Sequence, residues 1–314
     1  MKRERIYLYD TTLRDGQQTQ GVNFTVDDKI RISNALDELG IDYVEGGWPG
    51  ANPTDSDFFN TNPQLKATFT AFGMTKRSGK SAENDEVLSA VLNANTPGVC
   101  LVGKAHDFHV IKALGISLEE NLSNISDSVR HIVSKGREAL FDCEHFFDGY
   151  RENPNYALKA AKVAYEAGAR WIVLCDTNGG ALPSQVFSAT KAVIDSGIPG
   201  DRIGIHTHND TEHAIANSLA AIDAGARQVQ GTLNGLGERC GNANLVTLIP
   251  TLLLKDPYSS LYETGVDLNK LSSLTSISRT LDDILNRVPD KWAAYVGSSA
   301  FAHKAGLHAS AILK

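Results

Sequence analysis

The stretch Arg202-Ile-Gly-Ile-His206-Thr-His208-Asn-Asp210 decides how the chain is read, because it is a short apolar run ending in two histidines one residue apart. Side chains alternate faces along a strand, so His206 and His208 project from one face and Thr207 from the other. That is half of a metal site. An isolated His-x-His pair is more often a solvated strand end, and what raises this one is a carboxylate able to complete the set. Ile6-Tyr-Leu-Tyr-Asp10 reads as another strand, with Thr11-Thr-Leu-Arg14-Asp15-Gly16 as its exit loop.

Between and beyond these two stretches, short β-branched runs alternate with amphipathic ones. Thr25-Val-Asp27-Asp28 caps a helix whose apolar positions Ile30, Ile32, Ala35, Leu36 and Leu39 stop at Gly40. Tyr43-Val-Glu45 is the second strand. The pattern then predicts strands over 66–73 and 98–103, the first followed by a helix over 83–95, the second by one over 118–136. A strand over 139–144 follows, then a helix over 156–168, a strand over 171–175 and a helix over 184–196. The seventh strand runs over 203–206 with its helix over 212–225, and the eighth over 228–231 with its helix over 244–254. Eight such units in about 250 residues fit an α/β fold of the (β/α)8 TIM-barrel type. A doubly wound open sheet is the alternative. Polar residues gather at the carboxyl end of nearly every strand, where a barrel builds its active site, and that favours the barrel. Residues 1–255 are therefore expected to form the catalytic barrel, and 256–314 the start of a C-terminal helical extension.

In a closed barrel Asp15, after strand one, and His206 and His208, on strand seven, share one mouth with only strand eight between them. Strand eight leads into Gly231-Thr-Leu-Asn-Gly235-Leu-Gly237-Glu238-Arg239-Cys240-Gly241-Asn242, which brings Asn242 to the same place. Two imidazoles, a carboxylate and an amide oxygen make a mixed nitrogen and oxygen set suited to zinc, manganese, cobalt or magnesium. The glycine-rich stretch is not a dinucleotide loop, because Cys240 stands where the third glycine belongs and the stretch ends a unit instead of opening the fold.

Composition bounds the partners. The 314 residues are 42% hydrophobic and 21% charged with a net charge of -7, which describes a globular chain able to bury a large core. Lys and Arg are dispersed, so nucleic acid is not an expected partner. No charge-free apolar run approaches the roughly 20 residues of a membrane helix, and the start runs into a strand instead of a signal peptide. A cytoplasmic location is expected. Cys100, Cys143, Cys175 and Cys240 are too scattered for paired zinc or redox work.

Several motifs carry a family resemblance. Asp10-Thr-Thr-Leu-Arg-Asp-Gly16, His206-Thr-His-Asn-Asp210, Gly235-Leu-Gly-Glu-Arg-Cys-Gly-Asn242 and His303-Lys-Ala-Gly-Leu-His308-Ala309 resemble the signatures of the 2-isopropylmalate, homocitrate and citramalate synthases. Within these metal-dependent barrels, Glu45-Gly-Gly-Trp-Pro-Gly50-Ala-Asn-Pro53 and Phe141-Asp-Cys-Glu144-His-Phe-Phe-Asp148-Gly look like the citramalate synthase branch. The resemblance covers essentially the whole chain. It implies a cytoplasmic acyltransferase of isoleucine or leucine biosynthesis that condenses acetyl-CoA with a 2-oxo acid, here pyruvate, using a divalent metal ion such as Mg, Mn or Zn.

By motif match, Asp15, His206 and His208 are the metal ligands and Asn242 a weaker or water-bridged one. Arg14 is placed to stabilise the developing alkoxide, the plainer alternative being a pair with a neighbouring carboxylate. Glu144 and His308 match the catalytic glutamate and histidine, and which of them takes the acetyl proton stays open. Thr177, in Asp176-Thr177-Asn178-Gly179, matches the residue that binds the oxo-acid carboxylate. Trp48 and Phe72 are candidate fillers of the wall that would exclude larger acids, or ordinary rim aromatics. The resemblance also implies a homodimer in which His308 serves the partner's site. Two departures stand out. Ala309 and Ser310 follow His308 where some relatives carry an acidic residue, and the chain stops at Lys314 where relatives continue through further domains. The other readings are a larger-oxo-acid synthase, a 3-hydroxy-3-methylglutaryl-CoA lyase type, with Cys240 resembling its cysteine, and a non-catalytic metal-binding barrel.

Overall fold

A computed structural model describes residues 3–305 and 310–311 of the chain. Eight parallel strands close into a barrel in sequence order: β1 (Tyr7–Asp10), β2 (Tyr43–Glu45), β3 (Thr68–Met74), β4 (Gly98–Lys104), β5 (Glu138–Glu144), β6 (Trp171–Asp176), β7 (Ile203–Thr207) and β8 (Gln228–Gly231). Closure is made by β8, which pairs with β1 from Tyr7 opposite Gln228 to Asp10 opposite Gly231, and with β7 on its other side. The outer helices are α1 (Val26–Leu39), α2 (Pro53–Asn60), α3 (Glu86–Asn93), α4 (Leu118–Ser134), α5 (Pro154–Glu166), α6 (Pro183–Asp195), α7 (Ala214–Ala224) and α8 (Leu245–Leu254).

Strand parity sorts the side chains. Trp171, Val173 and Cys175 of β6 join Tyr9, Tyr43, Phe72, Cys100 and Leu140 in a cluster that fills the barrel interior. The alternate residues Ile172 and Leu174, with Leu8, Val44 and Val229, belong to the larger layer between sheet and helices. The inner positions nearest the carboxyl ends are polar: Glu45, Asp142, His206 and Gln230 are all buried. A barrel core of this kind is packed rather than hollow, so polar groups survive there only with partners.

Local signals explain the element ends. Thr25 and Asp28 form a reciprocal capping box at the start of α1, and Gly40 closes it in the left-handed conformation at φ 103°. The second unit's helix, α2, is absent from the sequence-based pattern, where Trp-Pro-Gly and Asn-Pro read as loop. Asn52 caps it and Pro53 occupies its first turn, a start signal that the surrounding turn residues mask. A short helix, Phe146–Glu152, was likewise unread.

Beyond α8 the chain returns to the barrel floor, where Tyr262–Glu263 pairs in parallel with Glu4–Arg5. A 3-10 turn, Leu268–Ser273, leads into α9 (Leu274–Ile284), whose Leu274, Ile277 and Leu281 pack into the helix-facing core. Val288, Trp292 and Phe301 then stand 93%, 73% and 79% exposed. Among the described residues no helix is long and apolar enough to cross a membrane.

Candidate functional site

The turn after β1 folds back on itself, with the Asp15 N–H donating to the Thr11 carbonyl at 2.9 Å, and this aims the Asp15 carboxylate at the end of β7. Asp15 Oδ2 lies 3.1 Å from His206 Nε2 and 3.9 Å from His208 Nε2. The two Nε2 atoms are 3.4 Å apart. Around one cation at about 2.1 Å, neighbouring ligand atoms stand about 3.0 Å apart in an octahedron and about 3.4 Å in a tetrahedron. The three buried donors therefore already sit at the spacing of a shared ion, and they are a group of His and carboxylate ligands able to hold one.

Asn242 completes the cluster from the loop after β8. Its Nδ2 donates to Asp15 Oδ2 at 2.8 Å, while its Oδ1 is buried without a partner, as is His208 Nδ1. Turning that amide over would present an oxygen to a cation beside Asp15. The loop has glycine at 237 because a Cβ there would fall 1.8 Å from Asn242 Oδ1. Electrostatics follow from these contacts. Burial pushes the Asp15 carboxyl upward, but Arg14 and His206 outweigh it and hold the group well below the usual carboxylate range. Burial, then His206, pushes the His208 imidazole down to about 4. His206 moves the other way, its burial outweighed by Asp15.

Arg14 lies against the same carboxylate, with Nη1 3.6 Å from Asp15 Oδ1. Its Nε donates to Glu45 Oε2 at 2.7 Å, and its guanidinium stacks 3.8 Å over the Phe72 ring. Arg14 thus does pair with a neighbouring carboxylate, and that pairing is what holds it beside Asp15. Glu45 also accepts from the Tyr9 hydroxyl and from Thr11 Oγ1, each at 2.7 Å. Burial would lower the Arg14 pKa, yet Glu45 and Asp15 together raise it above its ordinary value. Trp48 meets Phe72 edge-on with ring centroids 5.4 Å apart, so the two aromatics form one wall beneath Arg14.

The sequence matches the family model described as HMGL-like over residues 5–277. The chain belongs to the HMGL-like family. It is 50% identical over 320 residues to an (R)-citramalate synthase of Synechocystis sp., covering 99% of this chain and 58% of that protein. It is 48% identical over 314 residues to an (R)-citramalate synthase of Aquifex aeolicus, covering 99% of this chain and 58% of that one. A 2-isopropylmalate synthase of Campylobacter fetus subsp. fetus is 32% identical, with 60% of its length covered. The chain spans about three fifths of the length of the curated relatives it matches. Among solved structures, the hydroxymethylglutaryl-CoA lyase from Pseudomonas aeruginosa aligns with a TM-score of 0.77 at 18% identity, over 95% of this chain and 97% of that one, a likeness of fold.

The remaining candidate residues of this HMGL-like barrel follow other strands. Glu144 ends β5 half-buried, in an ion pair with Lys104, its register partner at the end of β4. Thr177 follows β6, and its Oγ1 accepts from the His145 N–H at 2.8 Å, which leaves its own hydroxyl proton available to donate. His145 sits at φ 56° and packs against His109 with ring centroids 4.1 Å apart. His308 lies outside the described residues. Cys100, Cys143 and Cys175 are buried, whereas Cys240 is exposed in the loop after β8.

Sequence reasoning overlooked Glu45, Lys104 and Gln230, which contact candidate site residues in this HMGL-like barrel, and Lys29, which bonds to the loops that carry Arg14 and follow Glu45. Glu45 carried a readable signal, since it shares the inward parity of Tyr43 at a strand end. Gln230 carried the same signal on β8. The contacts of Lys104 and Lys29 depend on neighbouring elements and leave no mark on local pattern.

Proposed function

We propose that this chain carries the condensing barrel of a citramalate synthase, which joins acetyl-CoA and pyruvate and releases CoA after water cleaves the thioester. The observation that carries the reading is the meeting of Asp15, His206 and His208 beside the Arg14 guanidinium. The identities of 47–50% to proteins named (R)-citramalate synthase support the choice of acid, against 32% to those named 2-isopropylmalate synthase. Asp15, His206 and His208 would hold a divalent ion, Mg, Mn or Zn, with Asn242 joining through its oxygen. When bound, such an ion supplies Lewis-acid polarisation of a keto group.

Each remaining role belongs to a side chain of this protein. Glu144 takes a proton from the acetyl methyl, oriented by its ion pair with Lys104. The resulting carbon bonds to the keto carbon of pyruvate, and the charge that develops on the keto oxygen lies within reach of Arg14. Thr177 donates its hydroxyl proton to the pyruvate carboxylate. Trp48 and Phe72 make the wall that leaves room for a methyl group only. A methylene changes selectivity by about 1–3 kcal/mol, so this wall governs which oxo acid is preferred. His308 acts from a partner chain, and two chains pair through the post-barrel segment, a reading supported by the exposed Val288, Trp292 and Phe301. We divide the chain into a barrel, 1–255, and an extension, 256–314, and take the enzyme to be cytoplasmic.

The test is thiol release from acetyl-CoA in the presence of Mg2+ or Mn2+ and a panel of 2-oxo acids. Pyruvate is expected to be turned over fastest. Release with 2-oxoisovalerate but not pyruvate would move the assignment to the isopropylmalate synthases, and no release with any acid would overturn the synthase reading.

A further inference from the structure

A histidine has two ring nitrogens, and His206 can serve a cation at Nε2 only if the ring's proton resides on Nδ1. What faces Nδ1 is therefore as consequential as what faces Nε2. Gln230, the register partner of His206 on β8, puts Oε1 2.9 Å from Nδ1. Its other end is engaged too: Nε2 donates to Asp142 Oδ1 on β5 at 3.1 Å. Gln230 is fully buried, and Asp142 and His206 are 3% and 5% exposed, so water does not substitute for any of these contacts.

The three residues leave one consistent arrangement. An ionised carboxylate only accepts, so the amide must turn its NH2 group to Asp142. That leaves the amide oxygen for His206, and an oxygen there requires a proton on Nδ1. The lone pair of Nε2 then points toward Asp15 and His208, where the candidate ligands converge. Reversing the amide would set its oxygen against the carboxylate and its NH2 against Nδ1, and the proton would have to move to Nε2, where it blocks ligation.

We propose that Gln230 is a positioning residue for the cation site, held in one orientation by Asp142 so that His206 keeps its proton on Nδ1 and offers Nε2 to the ion. This rests on the cation reading given above. Partners of metal-bound histidines that fix the tautomer are worth about 10- to 100-fold in metal affinity.

The test titrates Mn2+ into the full chain and reads free Mn2+ by electron paramagnetic resonance. Gln230→Met, which keeps the volume and removes both amide ends, is expected to weaken binding by about 10- to 100-fold. The double change Gln230→Glu with Asp142→Asn exchanges the donor and acceptor between the two positions, yet still presents an oxygen to Nδ1. It is expected to recover most of the loss. With Zn2+ bound, a slowly exchanging Nδ1–H signal of His206 should appear in the wild type and the exchanged pair, and be lost in Gln230→Met. Unchanged Mn2+ affinity in Gln230→Met overturns the proposal, as does an exchanged pair no better than Gln230→Met. Should Gln230→Met not fold, Asp142→Asn alone reads the same point: it frees the amide to turn, and undiminished affinity there overturns the proposal. A wild-type chain that binds no Mn2+ would instead remove the cation reading itself.

Discussion

Lys29 is fully buried on the inner side of α1, a placement lysine adopts only with partners. Its ammonium donates to the Leu13 carbonyl at 2.7 Å, to the Gly46 carbonyl at 3.0 Å and to Asp55 Oδ1 at 2.6 Å. The first precedes Arg14 and Asp15, the second follows Glu45, and so one side chain clasps the exit loops of β1 and β2. Lys29→Met keeps the volume and removes all three bonds. It leaves Asp55 as an uncompensated buried charge whose remaining partner is the Trp48 N–H at 2.8 Å. Breaking a buried pair in this way costs about 3–5 kcal/mol. With an unfolding entropy of about 2.1 cal/mol/K per residue over about 300 residues, 4 kcal/mol corresponds to a fall in Tm of about 6 °C. Urea unfolding and calorimetry measure both quantities. Adding Asp55→Asn, which removes the stranded charge and keeps an acceptor for Trp48, should restore about half of the loss. A loss below about 1 kcal/mol, or no recovery in the double variant, would refute the view that a single buried ammonium braces the two loops.

Glu144→Gln leaves size and burial unchanged but removes the base, so kcat for thiol release should fall by about 100- to 10,000-fold with little change in Mn2+ affinity; equal kcat would exclude Glu144 as the base. At pH 6.5 cation uptake should release between about half a proton and one, because the raised His206 is more than half protonated there and must lose its proton while His208, at about 4, is already neutral. Calorimetry in buffers of different ionisation heat counts it, and a count of two or none would contradict these assignments. Asp142 is pushed up to about 6, first by burial, so in the metal-free protein its contribution is fully present below pH 3.8 and lost as pH rises through 6. Asp142→Asn should therefore stabilise the metal-free chain at pH 8 by up to about 3 kcal/mol, from 6 minus 3.8 pKa units at 1.36 kcal/mol each, and leave it unchanged near pH 3. Denaturant midpoints that shift equally at both pH values would show that the carboxylate charge is not the cause.

Legibility in the sequence followed the range of the interaction. The capping box at Thr25 and Asp28 and the left-handed stop at Gly40 are local chemistry, and they bound α1 in the structure as the pattern predicts. The approach of Asp15 to His206 and His208 is legible through topology alone, since closing eight sequential units sets β8 between β1 and β7. What could not be read is the identity of partners across the barrel. Arg14 is visible in its motif, but its anchor Glu45 is 31 residues away on another strand. Lys104 and Glu144 meet through the β4–β5 register, which no periodicity specifies. The helix Pro53–Asn60 was hidden for a different reason: its Asn-Pro start signal stands in a stretch whose composition favours turns.

Most of the polar groups inside the barrel form one chain of contacts, with Gln228, at the amino end of β8, standing outside it and both its amide atoms unpaired; where the chain is incomplete near the mouth says what the site is for. It runs from Thr70 to Tyr9 at 2.9 Å, through Glu45 to Arg14 and Asp15, then by way of His206 and Gln230 to Asp142. A half-satisfied buried network is less favourable than an apolar core, so the strands would not keep so many polar residues here for stability alone. Along most of its length each donor meets an acceptor. Next to Asp15 the pairing fails: Asn242 Oδ1 and His208 Nδ1 are buried with no partner, while two imidazole Nε2 atoms and a carboxylate oxygen crowd within 4.8 Å of one another. Once His206 gives up its proton, three electron-pair donors face one point beside an unpaired amide oxygen, an arrangement that a positive centre completes. A divalent ion supplies it, and Arg14, Glu144 and Thr177 stand at the carboxyl ends of β1, β5 and β6 as the donors stand at those of β1, β7 and β8, so the deficit in the network and the proposed chemistry share one end of the barrel.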